Sequence, residues 1–174
     1  MPPLPKNVLY YGTEAGLPEQ VELHAGPLSV LFEDGDLRYI RYGYREVVRR
    51  VYVAVRDRNW GTVPPRLSNL KIVRTTDSFQ INYDYRHEQG GIDFLWKATI
   101  VGEANDSIRF SMDGEARTTF QRNRIGFCVV HPIRECAGMS CRVEKVNGAV
   151  EKAMFPKRIS PHQPFKDVRA VSHE

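Results

Sequence analysis

Long apolar segments are missing from this sequence of 174 residues. Its apolar runs are short, such as Val51 to Val55, whereas a membrane-spanning helix needs roughly 20 apolar residues. The first residues, MPPLPKNVLYYG, lack the basic and then apolar layout of a secretory signal. We therefore expect no membrane association and a cytoplasmic location.

Cysteine is scarce, and the count of three is odd, so a complete disulfide framework is excluded and free thiols are expected. The potential metal ligands are Cys128, His131, Cys136, Cys141 and His162. Structural zinc sites usually have closely spaced ligand pairs, but this chain has no C-x-x-C motif. A Cys–His pair for nucleophilic catalysis also lacks a local signature. The sequence therefore predicts no metal and no cofactor.

Blocks of basic residues are also missing, although the net charge is +4. The lysines and arginines are scattered, many of them alternating with apolar residues, and no nucleic-acid-binding motif is present. Nucleic-acid binding needs a concentrated basic patch rather than a net sum, so we do not expect a nucleic-acid partner. An anionic small molecule or a sugar acid would suit the same charge.

No window of 12 residues shows a helical stripe of apolar side chains; the dominant period is two. In FQINYDYR, the apolar positions Phe79, Ile81, Tyr83 and Tyr85 share one face, and IDFLWKATI and SIRFSMDG alternate in the same way. Asp34-Gly35 and Asn147-Gly148 are turn pairs that accept positive φ. These patterns predict antiparallel strands joined by hairpins.

The strands are predicted at 21–25, 28–33, 37–42, 46–56, 69–75, 78–87, 92–102, 106–113, 115–120 and 125–130, with a further hairpin over 141–155. Their number and spacing favour an all-β fold, an antiparallel β-sandwich with few or no helices. We expect an N-terminal arm at 1–20 and a single β-sandwich domain at 21–174. The final segment, FKDVRAVSHE, begins an alternating pattern and stops, which indicates a piece of a longer multidomain chain.

Loops on a rigid sheet usually carry function, and RDRNWGTVPPR interrupts the alternation from Arg56 onward. It supplies polar groups for hydroxyls, an aromatic face for sugar C–H groups, and arginines that pair with a carboxylate. A second polar cluster begins a later strand. The predicted substrate-binding residues are Arg56, Arg58, Asn59, Trp60, Arg122, Asn123 and Arg124. Alternatively, Arg58 and Arg124 form structural salt bridges and Trp60 covers the core.

Several stretches resemble the N-terminal region of the D-apionate lactonase family, namely HAGPLSVLFEDGDLRYIRYG, VYVAVRDRNWGTVPP, NRIGFCVVHP, CAGMSC and ISPHQPFKDVRA. Those bacterial enzymes of apiose catabolism open the lactone of a branched sugar acid. The resemblance implies a galactose-mutarotase-like β-supersandwich here, followed by a TIM-barrel-like domain and a further β domain. The resemblance assigns no catalytic residue to this segment, and barrel loops are the expected seat of chemistry.

The first hypothesis is therefore an N-terminal domain of a lactonase that hydrolyses a sugar-acid lactone, inactive alone, with the downstream domains and the sugar acid or its lactone as partners. The second is a self-sufficient mutarotase- or epimerase-like enzyme, in which His131 or His162 exchanges a proton and Asp57 assists. The third is a non-catalytic carbohydrate-binding or interaction domain. We also expect the Arg56–Trp60 loop, the Arg122–Arg124 cluster and His131 to share one rim, and the isolated chain to self-associate.

Overall fold

The computed structural model describes residues 3–158 and 164–173. Two short helices accompany twelve strands in this part of the chain. The elements are α1 (Lys6–Tyr11), β1 (Gln20–Ala25), β2 (Leu28–Glu33), β3 (Asp36–Tyr42), β4 (Arg45–Asp57), β5 (Pro65–Arg74), β6 (Phe79–Gln89), β7 (Ile92–Glu103), β8 (Ser107–Ala116), β9 (Arg122–Val130), α2 (Ile133–Cys136), β10 (Ser140–Lys145), β11 (Val150–Met154) and β12 (Val168–Ser172).

The two larger sheets pack against each other. One has the strand order β1-β2-β3-β4-β9 and the other β5-β6-β7-β8, and every pairing is antiparallel. Both sheets contribute to one apolar core, which includes Leu23, Val30, Leu37, Val55, Ile81, Tyr83, Trp96 and Ile100. The predicted all-β antiparallel sandwich is thus confirmed.

The period-two pattern located the central strands well. In β6, Phe79, Ile81, Tyr83 and Tyr85 are all buried while their neighbours are more exposed, and β7 buries alternate residues in the same way. Asp34 and Gly35 both have positive φ, as does Gly148, in agreement with the predicted turns. Alternation works here because one face of each strand is sealed by the opposite sheet.

Three local predictions differ from the structure. Strand β5 begins at Pro65 rather than at 69, and β8 continues to Ala116, so no separate strand occupies 115–120. The segment after β9 was expected to be a loop, but it contains the one-turn helix α2. A four-residue helix has no apolar period to detect, and prolines at the start of β5 obscured its pattern because they suggested a loop.

A third, smaller sheet lies in the C-terminal part of the chain. Its order is β11-β10-β12, and it packs with α2 around a second apolar cluster formed by Cys136, Cys141, Val143 and Phe155. The strand expected at the end of the sequence is β12, which pairs with β10. The buried residues thus fall into two clusters. The predicted arm at 1–20 and the predicted single domain at 21–174 stay predictions.

Helix α1 lies outside both clusters and buries no side chain. None of the helices in residues 3–158 and 164–173 has the length and apolar character needed to cross a bilayer.

Candidate functional site

Strand pairing brings together the two polar clusters that the sequence singled out. Strands β4 and β9 are antiparallel neighbours, with Arg56 opposite Arg124 and Asp57 opposite Arg122. These clusters are far apart in sequence and meet because β9 returns along the edge of the first sheet. The Arg56–Trp60 loop and the Arg122–Arg124 cluster therefore lie side by side, as the predicted common rim requires.

The loop after β4 is a tight turn held by its first residue. The Asp57 carboxylate accepts hydrogen bonds from the backbone N–H groups of Asn59 and Gly61, each at 2.8 Å. The backbone N–H of Trp60 donates to the Asp57 carbonyl at 3.1 Å, and that of Asp57 donates to the Gly61 carbonyl at 2.9 Å. A type I turn followed by a left-handed residue has this bonding pattern. Asp57 thus shapes the loop.

Trp60 occupies the left-handed position of that turn, with φ of +69°. Such a backbone conformation is unfavourable for a bulky side chain and is usually taken by glycine. The indole is more than half exposed, and the Arg124 guanidinium lies over its ring, 5.5 Å from the centroid. The turn therefore holds an aromatic surface in solvent beside a cation, instead of using it to seal the core.

A cleft of about 440 Å³ opens beside the Trp60 ring. Its walls include Trp60 and three arginines, Arg56, Arg122 and Arg124. Arg56 donates a hydrogen bond to the Thr62 hydroxyl. Within the described ranges, no carboxylate lies within 4.0 Å of the guanidinium of any of these arginines or of Arg58. The predicted alternative of structural salt bridges at Arg58 and Arg124 is therefore not supported.

The other members of the predicted cluster point elsewhere. Arg58 and Asn59 line a second cleft of about 610 Å³ on the opposite side of the loop, together with Gln89–Ile92 and Thr119–Gln121. Asn123 lines neither cleft; it is the extra residue of a bulge, since Arg124 pairs with Arg56 and Arg122 pairs with Asp57. Of the seven predicted residues, four line the first cleft, two line the second and Asn123 lines neither.

His131 lines neither cleft and lies far from Arg124, contrary to the expected common rim. It follows the far end of β9, seven residues after Arg124, which corresponds to about 23 Å along an extended strand. Asp57 stands at the loop end and already accepts two backbone hydrogen bonds. His162 lies outside the described residues. The proposed pairing of His131 with Asp57 is therefore wrong, because strand β9 separates them.

His131 instead joins a cluster in the smaller unit. One ligand-type atom from each of His131, Cys136 and His173 lies within 4.8 Å of the other two, and Cys136 Sγ is 4.0 Å from His173 Nε2. Burial lowers the pKa of the His131 imidazole, and His173 lowers that pKa further. Burial also raises the pKa of the Cys136 thiol, with a smaller contribution from the charge of Glu135. Among the described residues, these three side chains could hold a metal ion.

The three cysteines are free thiols, as expected. Cys128 lies in β9, as predicted, but it is half-buried on the outer face opposite Tyr52 rather than in the core. Burial raises the pKa of the Tyr52 phenol, and Cys128 raises that pKa further. Cys136 and Cys141 are buried in the second cluster. Cys136 lies between the predicted strand 125–130 and the predicted hairpin 141–155, where a loop was expected, and Cys141 begins that hairpin.

Sequence reasoning missed two histidines. His173 was overlooked because it lies 37 residues from Cys136 along the chain; the H-x4-C spacing of His131 and Cys136 was the one local signal. His87 is fully buried in the sandwich core, where the Trp96 Nε1–H donates to its Nε2 at 3.0 Å. An indole is only a donor, so the Nδ1 of His87 carries the proton and donates to the Val63 carbonyl at 2.7 Å.

Comparison with known proteins gives two matches. Residues 8–174 match the family model described as "D-apionate lactonase, N-terminal domain". The D-apionate lactonase of Brucella anthropi is 38% identical over 167 residues, which cover 95% of this chain. The chain spans only 27% of the length of that relative. No solved structure matches the chain.

Proposed function

Because this chain belongs to the family of D-apionate lactonase N-terminal domains, we propose that it forms the N-terminal β-sandwich of a larger enzyme that hydrolyses the lactone of a sugar acid. In this proposal the domain binds the hydroxyl groups of the lactone and the carboxylate of the sugar acid that is released, and it does not perform the hydrolysis itself. The relative is a much longer protein, of which this chain matches 27%, so most of that enzyme lies in other segments.

The unpaired arginines in the cleft beside Trp60 carry the proposal. Arg56, Arg122 and Arg124 line one cavity, and within the described part of the chain none of them is neutralised by a carboxylate. A guanidinium recognises a planar carboxylate with two parallel hydrogen bonds. The exposed indole provides a flat surface for sugar C–H groups. Together these groups suit an aldonic acid or its lactone.

Among the lining residues that the structure describes, no acid–base pair is present at this cleft, which supports a binding role. Catalysed lactone opening needs a group that activates water and a group that stabilises the developing oxyanion. Of the predicted catalytic candidates that the structure describes, Asp57 is committed to its turn and His131 lies at the opposite end of β9. We therefore assign the hydrolysis to segments outside this chain.

The first experiment compares this chain with the longer enzyme that carries it. Hydrolysis of D-apionolactone is followed by pH-stat titration of the acid released. We expect turnover from the longer enzyme and none above background from the isolated chain. Turnover by the isolated chain would contradict the division of labour and favour the self-sufficient enzyme.

The second experiment tests the cleft directly by calorimetric titration of the isolated chain with a sugar acid. Replacing Arg124 with alanine should weaken binding by about 2 kcal/mol, which is about thirtyfold in Kd, because a charge-assisted contact is lost. In the longer enzyme, Arg124 would hydrogen-bond the hydroxyl oxygens of the neutral lactone. The same change should then raise KM more than it lowers kcat, since that contact holds ground and transition states equally.

Arg109→Ala is the matched control, because Arg109 is an exposed arginine on β8 of the other sheet. It should leave Kd and KM unchanged. If the Arg124 and Arg109 variants behave alike, the cleft does not bind the substrate. Binding of neutral sugars as tightly as sugar acids, without turnover by the longer enzyme, would favour a carbohydrate-binding module.

A further inference from the structure

Three potential metal ligands converge in the smaller C-terminal unit, and none of them lines the arginine cleft. We propose that His131, Cys136 and His173 form a binding site for one zinc ion, with three protein ligands and one open coordination position. This proposal does not depend on the lactonase assignment, because it rests on a different cluster of residues. Imidazole and thiolate are the ligand types that zinc prefers in proteins.

The distances suit a tetrahedral ion. With Zn–N near 2.0 Å and Zn–S near 2.3 Å, adjacent ligand atoms of a tetrahedron lie roughly 3.4 to 3.6 Å apart. The three ligand atoms here lie within 4.8 Å of one another, and the contact between Cys136 Sγ and His173 Nε2 measures 4.0 Å. The ligand atoms would have to approach one another by about 1 Å or less to reach these tetrahedral separations.

Unsatisfied polar atoms at this place point to a missing cation. Nδ1 of His131 is buried and has no hydrogen-bond partner among residues 3–158 and 164–173. Oε2 of Glu135, next to Cys136 in α2, is also buried and has no partner in that part of the chain. A buried polar atom without a partner is costly, and native structures contain few of them. A bound cation would provide charge compensation for the carboxylate and order the imidazole.

The surrounding structure holds the ligands in position. The backbone N–H of Cys136 donates to the Pro132 carbonyl at 3.1 Å, which fixes the short loop that carries both His131 and Cys136. The ring of Phe155 contacts both imidazoles, with centroid distances of 4.9 Å to His131 and 5.2 Å to His173. His173 directly follows β12, which pairs with β10. Such packing reduces the entropy lost when a metal binds.

The open position faces a cavity of about 340 Å³. His131 and Cys136 both line this cavity, and most of its other walls are apolar, including Val129, Ile133 and Phe165. Lys157 and Arg158 also border it. Zinc sites with three protein ligands keep a fourth position for water or another small ligand. The two cations at the wall suit a fourth ligand that is anionic.

The competing explanation is a reduced thiol that contacts a histidine in a packed core. Metal titration separates the two explanations. The reduced chain, with any affinity tag removed, is incubated with excess Zn²⁺, passed through a desalting column and analysed by elemental mass spectrometry. We expect one zinc per chain, and we expect Co²⁺ to give a thiolate-to-metal charge-transfer band in the near ultraviolet. Substoichiometric zinc, or Co²⁺ without that band, would overturn the proposal.

Variants assign the ligands. Cys136→Ser and His173→Ala should each weaken zinc binding by more than the roughly 10- to 100-fold that follows loss of an outer-shell partner. Cys128→Ala and His24→Ala are the controls, because they remove a thiol and an exposed imidazole outside the cluster, and both should bind zinc as the unmodified chain does. Since Cys136 is buried, its variant could unfold; His173→Ala, checked by circular dichroism, then decides. Unchanged zinc binding in a folded His173→Ala variant would refute the site.

Discussion

At the scale of single residues, the burial of His87 couples the stability of the sandwich to pH. The imidazole lies in the core between Trp96 and Val63, and burial lowers its pKa below the ordinary value of 6.5, although the Val63 carbonyl partly opposes this. The other rings packed against it are Phe94 and Tyr85, and both are uncharged at neutral pH. Protonation of Nε2 would also direct its new N–H toward the indole N–H of Trp96.

Stability should therefore fall as pH drops below 6.5. In that range the unfolded chain binds a proton at His87 and the folded chain does not, so the unfolded state gains stability; above 6.5 both states are neutral and the contribution is constant. The slope from one group cannot exceed about 1.4 kcal/mol per pH unit. Urea denaturation between pH 5 and pH 8 measures it.

His87→Gln is the matched variant, because glutamine can accept from Trp96 and donate to Val63 without titrating. The difference in unfolding free energy between the two proteins should decrease as pH falls below 6.5, since only the unmodified chain loses stability through His87. Burial also lowers the pKa of His131, so both proteins keep some pH dependence. If the unfolding free energies of the two proteins change with pH in parallel, His87 has the same protonation state in the folded and unfolded chains. That result would contradict the prediction.

Trp60 has a strained backbone conformation and an exposed ring. Strained residues often lie at binding sites, which agrees with the proposed contact between this ring and a sugar. Trp60→Ala removes the ring and keeps a side chain at positive φ, whereas Trp60→Gly removes both. We expect the glycine variant to be more stable than the alanine variant by about 1 kcal/mol in urea denaturation. Both should lose sugar-acid affinity equally. Equal stability of the two variants would mean that the turn is not strained.

At the scale of elements, the hairpin of β2 and β3 is attached to the opposite sheet through its turn. The hydroxyl of Tyr83 donates to the Gly35 carbonyl at 2.6 Å, and that of Tyr85 donates to the Asp34 carbonyl. Gly35 has φ of +78°, and a Cβ built on it would lie 2.3 Å from the Tyr85 hydroxyl oxygen. Burial raises the pKa of both phenols, so both remain donors at neutral pH.

Gly35→Ala should therefore be more damaging than an ordinary glycine replacement. It should combine about 1 kcal/mol of backbone strain with roughly 1 to 3 kcal/mol of overpacking against Tyr85. Gly43→Ala is the control, because Gly43 has φ of +60° and open space around its would-be Cβ, so it should lose only the strain component. Chemical denaturation of both variants measures the difference. A Gly43 variant as unstable as the Gly35 variant would contradict the steric argument.

Elements whose signal is local were predictable, and contacts that depend on distant segments were not. Strands β6 and β7 were found because alternate residues are buried under the opposite sheet, and the Asp34-Gly35 turn because its dihedral angles require such residues. The pairing of Arg56 with Arg124 could not be derived, since register between distant strands leaves no trace in one sequence. The cluster at Cys136 was missed for the same reason.

At the scale of the whole molecule, the two apolar clusters differ greatly in size. The sandwich core draws on both large sheets, while the second cluster contains four buried residues under a three-stranded sheet. So small a unit cannot cover its own apolar surface. Val129, Ile133 and Val168, which all line the 340 Å³ cavity, are 52%, 65% and 36% exposed. We call these three residues the apolar rim.

The apolar rim should make the isolated chain self-associate. Interdomain surfaces within one chain are partly apolar, and the relative is far longer than this chain. Under the proposed function, a further segment of the longer enzyme would be the natural partner of the rim. Sedimentation equilibrium should show reversible association that Ile133→Ser weakens. Tyr44→Ser, which alters a fully exposed aromatic residue outside the rim, should leave the association unchanged.

In the longer enzyme, where the rim is expected to be covered, Ile133→Ser should instead lower the melting temperature. A chain that stays monomeric at high concentration would show that the rim is compatible with solvent, and the downstream segments would then have to dock elsewhere.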